Sequence, residues 1–348
     1  MNPRLVLILA AGLALCAGGA NAAAAPAQAA IKPDAFRSPH TAWGDPDLQG
    51  LWTNASLTRL ERPPGVNKLA LSDDEAKVAE KALLAWMAAN DMPTPTSEGA
   101  PPKANDPGGY NSFWMDNGSH LGRVNGEART SWVVDPPTGK VPYREGAMAQ
   151  ARAAIGRQFG RFDNPETRSL GERCIVGFGS TSGPPMLNVL YNNNYQIAQS
   201  PGFVTIVVEM NHDARIIRLG GTHPPENIRP WMGDSIGHFE GDTLVVETTN
   251  LNPGQFFTAD VLHRLYLPAD SKVVERFTRV SKDEILYEFT VDEPKAYTQV
   301  WKGQIPMHAT KGPMYEYACH EGNYSLPGIL AGARAEEKKA QSPAGGDQ

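Results

Sequence analysis

The stretch NYQIAQSPGFVTIVVEMNHDARIIRL, residues 194–219, determines the predicted fold. It contains three runs of strand-forming residues, separated by the turn formers Ser200-Pro201-Gly202 and Asn211-His212-Asp213. Strands this short, joined by turns this tight, must lie antiparallel beside each other. The stretch therefore predicts a β-meander, and it leaves open whether His212 belongs to a simple turn or to a site.

The meander continues through GHFE, TLVVETTN, VVERFTRV, ILYEFTVD, YTQVWKGQIPM and MYEYAC. In the run at 285–291, Ile285, Tyr287, Phe289 and Val291 share one face, and Glu288 and Thr290 share the other. At least eight strands in succession indicate a mainly β protein, either a closed antiparallel barrel or, as the alternative, a two-sheet sandwich.

Helices are predicted on both sides of this β region. One begins after a Ser72 N-cap with acidic residues in its first turn, one covers MAQARAAIGRQF, and one follows Cys319. Between the first two, TSWVVD and KVPYR flank DPPTG, a pattern that predicts a further hairpin.

The tripeptide Gly50-Leu51-Trp52 lies near the start of the β region. A Gly-x-Trp on the first strand, followed by a meander and a C-terminal helix, resembles the lipocalin and calycin architecture. The resemblance implies that the glycine lets the chain pass close to the barrel floor and that the tryptophan closes that end.

Residues 1–22 combine an early cation, an apolar run and a small-residue end, which is the pattern of a secretory signal peptide. We therefore expect a periplasmic or secreted protein. The expected organisation is a signal peptide at 1–22, a flexible tether at 23–40, one β-rich domain at 41–338 and a disordered tail at 339–348.

Removal of the signal leaves Cys174 and Cys319 as the only cysteines and shifts the formal net charge from −6 to −7. In an exported chain the two cysteines predict one disulfide, worth roughly 4–5 kcal/mol on the chain-entropy model, with two free buried thiols as the alternative. A mildly acidic chain without a basic block argues against nucleic acid and membrane partners. The expected partner is a small-molecule ligand or substrate, and the oligomeric state stays open.

A longer resemblance covers GHFEGDTLVVETTNL, VVERFTRVSKDEILYEFTVDEPKAYTQVW and EYACHEGNYSLPGILAGARAEE. These segments resemble a family of exported bacterial β-rich proteins of unassigned activity, over about Trp43 to Glu337. The resemblance implies an exported single-domain β protein and carries over no catalytic residue.

His212 heads the first candidate site. In the functional interpretation Asp213 orients the imidazole, and Arg215, on the same strand face, pairs with Asp213 or holds an anion. In the structural interpretation the three residues only make a turn. A second candidate is CHEGNY, where His320 and Tyr324 follow the predicted disulfide cysteine and would act as the acid, or would only cap the exit from the last strand.

Other polar and aromatic residues in loops or at strand ends are candidates for substrate binding or for packing. They are Asn192, Asn194, Trp231, His238 (which would share a strand face with Glu240) and Trp114.

The chain lacks a phosphate loop, a dinucleotide fingerprint, a CxxC pair and a haem motif, so no cofactor is expected. A divalent metal bound by His212, His238 and His320 stays open, although their spacing is not diagnostic and no metal ligand is assigned. The predicted function is acid–base catalysis on a small aromatic or cyclic metabolite by a lyase, isomerase or hydrolase. The alternative is a non-catalytic carrier of lipocalin type.

Overall fold

A computed structural model describes residues 36–91, 116, 118–159, 162–177, 179–255, 257–259 and 263–341. The predicted signal peptide, most of the predicted tether and Trp114 lie outside these residues. Among the helices described, none has the length and apolarity needed to cross a membrane.

Fifteen strands are present in the described part of the chain, and nine of them close into a barrel in the order β1-β6-β7-β8-β9-β10-β13-β14-β15 and back to β1. The barrel confirms the predicted mainly β, lipocalin-like fold, and β5 adds to the outer side of β15. The strands are β1 Gly50–Thr53, β2 Ala70–Leu71, β3 Arg123–Val124, β4 Glu127–Arg129, β5 Val133–Asp135, β6 Asn194–Ser200, β7 Phe203–Val208, β8 Ala214–Leu219, β9 Asp234–Glu240, β10 Thr243–Thr249, β11 Phe257–Ala259, β12 Arg264–Tyr266, β13 Lys272–Ser281, β14 Glu284–Asp292 and β15 Trp301–Ala309.

The barrel departs from the predicted antiparallel meander at one junction. Strands β8 and β9 are parallel, with Ile217 opposite Ser235. A parallel pair needs a crossover connection, and residues 220–233 form it as a strap without helix. The strap is fastened by His223, whose Nδ1 lies 2.7 Å from Asp234 Oδ2, and by Asn250, whose side chain donates to Pro224 O at 3.1 Å.

The barrel interior is filled with side chains. As predicted, Ile285, Tyr287, Phe289 and Val291 are all buried on the inner face of β14. They pack with aromatic neighbours such as Trp301, whose ring meets Phe289 edge to face at 5.6 Å. The barrel is therefore a packed core rather than an empty container.

One end of the barrel, here the closed end, carries the tight turns between β6 and β7, β9 and β10, and β13 and β14. The Trp52 ring lies there, 1 % exposed, and its Nε1 donates to Leu48 O at 3.0 Å. The guanidinium of Arg279 stacks on this ring at 5.3 Å, and Gly50, at φ +144°, lets the ring fold back over the backbone. The role predicted for Gly50 and Trp52 matches this geometry.

The opposite end, here the mouth, carries the longer connections between β7 and β8, β10 and β13, and β14 and β15. Two elements cover it. The first is residues 179–187, here the plug, which are buried almost throughout. The second is the hairpin of β11 and β12, in which Thr258 lies opposite Leu265.

The helices are α1 Asp73–Asp91, α2 Ala147–Phe159, α3 Cys319–Gly322 and α4 Ser325–Gln341. Ser72 caps α1 as predicted: its Oγ accepts from Glu75 N at 3.3 Å, and Glu75 Oε2 accepts from Ser72 N at 2.8 Å. Because α4 continues to Gln341, the boundary predicted for the disordered tail at 339 is wrong.

The Cys174–Cys319 disulfide is present, with the two Cα atoms 5.7 Å apart. The hairpin predicted around DPPTG is not formed. Instead Val133 pairs with Gly303 of β15, and Tyr143 forms a bridge with Tyr297 in the connection before β15, so the two segments pair with other parts of the chain and not with each other. The strand predicted over MYEYAC is not formed either, because these residues run along the surface without a strand partner.

Candidate functional site at the barrel mouth

The turn between β7 and β8 anchors the plug. Asp213 is 9 % exposed, and its carboxylate accepts hydrogen bonds from Gly177 N at 2.8 Å, from Asn211 Nδ2 at 3.1 Å and from the Ser182 hydroxyl. The predicted contact with His212 is absent, because the backbone turns at His212 with φ +44° and leaves its side chain exposed. Asp213 therefore holds the plug rather than an imidazole.

Glu209, at the start of the same turn, is a second buried carboxylate. Its Oε2 accepts from Asn194 Nδ2 at 2.7 Å, and its Oε1 accepts from Tyr315 N at 3.0 Å. Asn194 is thus placed at the rim of the mouth, where it supports Glu209.

Arg215 points into the barrel and forms an ion pair with Glu275, both side chains being at most 1 % exposed. The Arg215 Nη1 to Glu275 Oε1 distance is 2.9 Å, and Tyr287 Oη donates to the same oxygen at 2.7 Å. Burial lowers the pKa of Arg215, but the charge of Glu275, the hydrogen bonds to it and the two nearby tyrosines together raise that pKa above its ordinary value. The prediction that Arg215 pairs with Asp213 or holds an anion is wrong, because Glu275 occupies its guanidinium.

The plug reaches this buried centre. Met186 N donates to Tyr287 Oη at 2.9 Å, and Tyr195 Oη donates to Thr181 O at 3.1 Å. Burial, together with the Glu275 charge, raises the pKa of Tyr287 well above its ordinary value, so the phenol stays protonated and donates. The plug is therefore positioned by the interior of the barrel as well as by Asp213.

A cavity of about 20 Å³ lies between the plug and the hairpin, which is room for about one water molecule. One wall is polar, with Gln255 Oε1 and Thr258 Oγ1 both buried and without a hydrogen-bond partner. The remaining walls come from the plug and from leucines. The lining residues are Ser180, Gly183, Pro184, Leu251, Gln255, Thr258, Leu265 and Leu267.

His263 precedes the lining residues Leu265 and Leu267 in the sequence and lies on the same side of the hairpin. Burial alternates from 263 to 267, so His263, Leu265 and Leu267 face inward together. Burial lowers the pKa of His263 to about 4, so the imidazole is neutral at neutral pH, and its Nε2 has no hydrogen-bond partner. A neutral buried imidazole without a partner is a candidate proton acceptor.

Several predicted site residues do not line this cavity. Tyr324 is 84 % exposed and His320 is also exposed, both at the C-terminal surface. His238 pairs with Glu240 at 3.2 Å on the outer wall, as their spacing predicted. Trp231 lies in the strap with its ring against Gly254, and Asn192 occupies a loop position with φ +55°.

His263, Gln255, Thr258 and Glu275 were not among the predicted site residues. The sequence could have identified Glu275, because in VVERFT it lies two residues from both Val273 and Phe277 and so shares their inward strand face. His263 shares a face with Leu265 and Leu267 in the same way. Gln255 and Thr258 gave no such signal, because their positions depend on how the connection between β10 and β13 folds over the mouth.

Across the described residues, no group of three or more His, Cys, Asp or Glu side chains is arranged to hold a metal ion. Comparisons with family models, with curated proteins and with solved structures found no match for this chain. The functional assignment therefore depends on the geometry of the mouth alone.

Proposed function

We propose that this protein is an exported enzyme, periplasmic or secreted, that binds a small aromatic or cyclic molecule at the barrel mouth and acts on it by acid–base catalysis. The observation that carries the proposal is the concentration of buried polar atoms without partners beside an apolar wall. Such atoms cost about 1–3 kcal/mol each when left unsatisfied, and they are retained where a ligand or water completes them.

The lining defines the ligand that fits. Gln255 Oε1 and Thr258 Oγ1 are available as acceptors, and Arg215, whose guanidinium lies beside Gly183 in the cavity wall, is already paired with Glu275. The site therefore favours a neutral molecule with a hydroxyl or amide donor over an anion. Leu251, Leu265 and Pro184 offer an apolar surface for a ring. Because the cavity has room for about one water molecule, a ring-sized ligand requires the plug and the hairpin to separate.

His263 would serve as the base in this proposal. Its low pKa keeps it neutral at neutral pH, and its inward position places it on the side that faces the ligand. Lyase, isomerase and hydrolase reactions all need such a proton acceptor and no redox cofactor. The filled barrel interior favours this proposal over a lipocalin-type carrier, which needs an empty apolar interior.

The first test is a binding screen of neutral cyclic compounds by thermal shift, followed by titration calorimetry of each hit. Thr258→Val removes the hydroxyl without changing the shape of the side chain, and we expect it to weaken binding roughly tenfold. Thr205→Val, on the outer wall, is the matched control and should bind like the wild type. Equal binding by both variants would place the ligand elsewhere.

The second test separates binding from catalysis. We expect His263→Gln to bind the hits but to lose turnover of any hit that the wild-type protein converts. Wild-type protein that binds a hit without converting it would support a carrier instead.

A further inference from the structure

The C-terminal segment, residues 310–341, lies entirely on the surface. None of its residues is buried, and α4, which makes up its second half, has no buried residue either. The segment nevertheless spans one rim of the mouth, where Tyr315 N donates to the buried carboxylate of Glu209 at 3.0 Å. It covers the rim with little apolar contact to hold it there.

Few contacts fasten this segment to the barrel. Besides the Tyr315 bond, Thr310 N donates to Leu51 O at 3.0 Å, Asn323 Nδ2 donates to Glu172 O at 2.7 Å, and Arg334 Nη2 donates to Asp163 O at 2.5 Å. Tyr317 is the aromatic residue of the segment that packs, half-buried, against the barrel core. The covalent bond between Cys319 and Cys174 lies between these contacts. Cys174 is buried, whereas Cys319 is half-buried at the surface. Segments with exposed hydrogen bonds and little apolar burial open at low cost in free energy.

The plug, unlike the C-terminal segment, is buried and held by several contacts. Residues 180–187 are all buried, and they contact Asp213, Tyr195 and Tyr287 without involving the disulfide. Opening the disulfide therefore removes the main constraint on the C-terminal segment but none of the contacts that hold the plug.

We propose that the C-terminal segment is a redox-releasable arm that covers the Glu209 rim of the mouth and is held there by the Cys174–Cys319 disulfide. A dithiol supplies the two electrons and two protons that convert the disulfide into two thiols, and it becomes oxidised to its own disulfide. Release leaves the barrel and plug folded and uncovers Glu209 and Asn194. The arm deepens the proposed function by adding control of access to the mouth, but its release is measurable without any ligand.

Hydrogen exchange followed by mass spectrometry tests this inference on the full mature chain, oxidised and after dithiothreitol. We expect amides in 310–341 to exchange at least tenfold faster after reduction. Amides of the plug and of β14 should stay protected over the same labelling times, because they exchange only when the whole domain unfolds. A Cys174→Ser/Cys319→Ser variant should match the reduced wild type with and without dithiothreitol, which excludes an effect of the reagent itself.

Two results would overturn the inference. Unchanged protection of 310–341 after reduction would mean that non-covalent contacts suffice to hold the arm. Exchange in β14 as rapid as in 310–341 after reduction would show that the disulfide holds the whole fold together and not the arm alone. Loss of ligand binding at the mouth, with arm release intact, would count only against the proposed function.

Discussion

The two ends of the barrel differ in how their buried polar groups are bonded. At the closed end, the Trp52 indole N–H is bonded and its ring is covered by the Arg279 guanidinium. Arg279 Nη1 and Nη2 donate to Asp47 O and Lys282 O, and Nε is the one atom of this pair that is buried without a partner. At the mouth, the side chains of Gln255, Thr258 and His263 each leave a buried polar atom without a partner.

This difference separates stability from function. Satisfied, fully packed groups stabilise the fold, whereas unsatisfied buried groups cost free energy and need another reason to be there. The charged centre of Arg215 and Glu275 lies nearer the mouth but resembles the closed end, because its charges are paired. Four predictions test whether the division is real.

The largest effect is expected at the closed end. Trp52→Ala should lower the free energy of unfolding by about 5 kcal/mol, because it creates a cavity and removes the stacking partner of Arg279. Urea unfolding measures this loss. Trp43→Ala is the control, since Trp43 is 40 % exposed, and it should cost less than about 1 kcal/mol. Similar losses in both variants would show that Trp52 does not close the barrel.

The charged centre should behave as part of the scaffold. Glu275→Gln should cost about 4 kcal/mol, because it leaves the Arg215 cation buried without a countercharge. The double variant Arg215→Met/Glu275→Leu should recover most of that loss, since it removes both charges together. A double variant no more stable than the single one would show that the pair does more than balance its own charges.

Because of His263 at the mouth, the free energy of unfolding should depend on pH. The folded pKa of His263 is about 4 against 6.5 for the ordinary side chain, so from pH 6.5 down to 4 the unfolded chain takes up a proton that the folded chain does not. The free energy of unfolding should fall by about 3 kcal/mol over that range, and should lack this dependence above it. His263→Gln should remove this contribution from a urea titration at several pH values, whereas His238→Gln, on the outer wall, should leave it intact.

The smallest effect is expected for His212, the first candidate site residue of the sequence analysis. His212→Asn should change the free energy of unfolding by less than about 0.5 kcal/mol, because the side chain is exposed and asparagine tolerates its positive φ. It should also leave ligand binding at the mouth unchanged. A measurable loss of binding or turnover would show that His212 takes part in the functional site after all.

The strands were predictable because their residues alternate with the period of the pleat. In ILYEFTV the alternation placed Ile285, Tyr287, Phe289 and Val291 inside, and the barrel follows from repeating that pattern. The parallel junction between β8 and β9 could not be predicted, because the strap has no periodicity. Its contacts, among them those of His223 and Asn250, hold the strap as it returns the chain from the closed end to the mouth.

The site was less predictable than the fold. Asn211-His212-Asp213 was correctly expected to form a turn, but sequence proximity says nothing about which carboxylate an imidazole meets. Asp213 bonds to Ser182, a residue far from it in the chain, and the cavity is lined by two segments that meet only after the barrel closes.

The pairing of β1 has a consequence for how the molecule is made. This strand joins β6 on one side and β15 on the other, so Trp52 lies opposite Tyr195 and also opposite Ala309, which is 257 residues further along the chain. A nascent chain that ends before β15 leaves two strand edges unpaired, and such edges promote association with other chains. Loop closure over this distance also makes the last pairing slow. The barrel can therefore close only after β15 has been synthesised. Aggregation is most favoured before β15 pairs with β1.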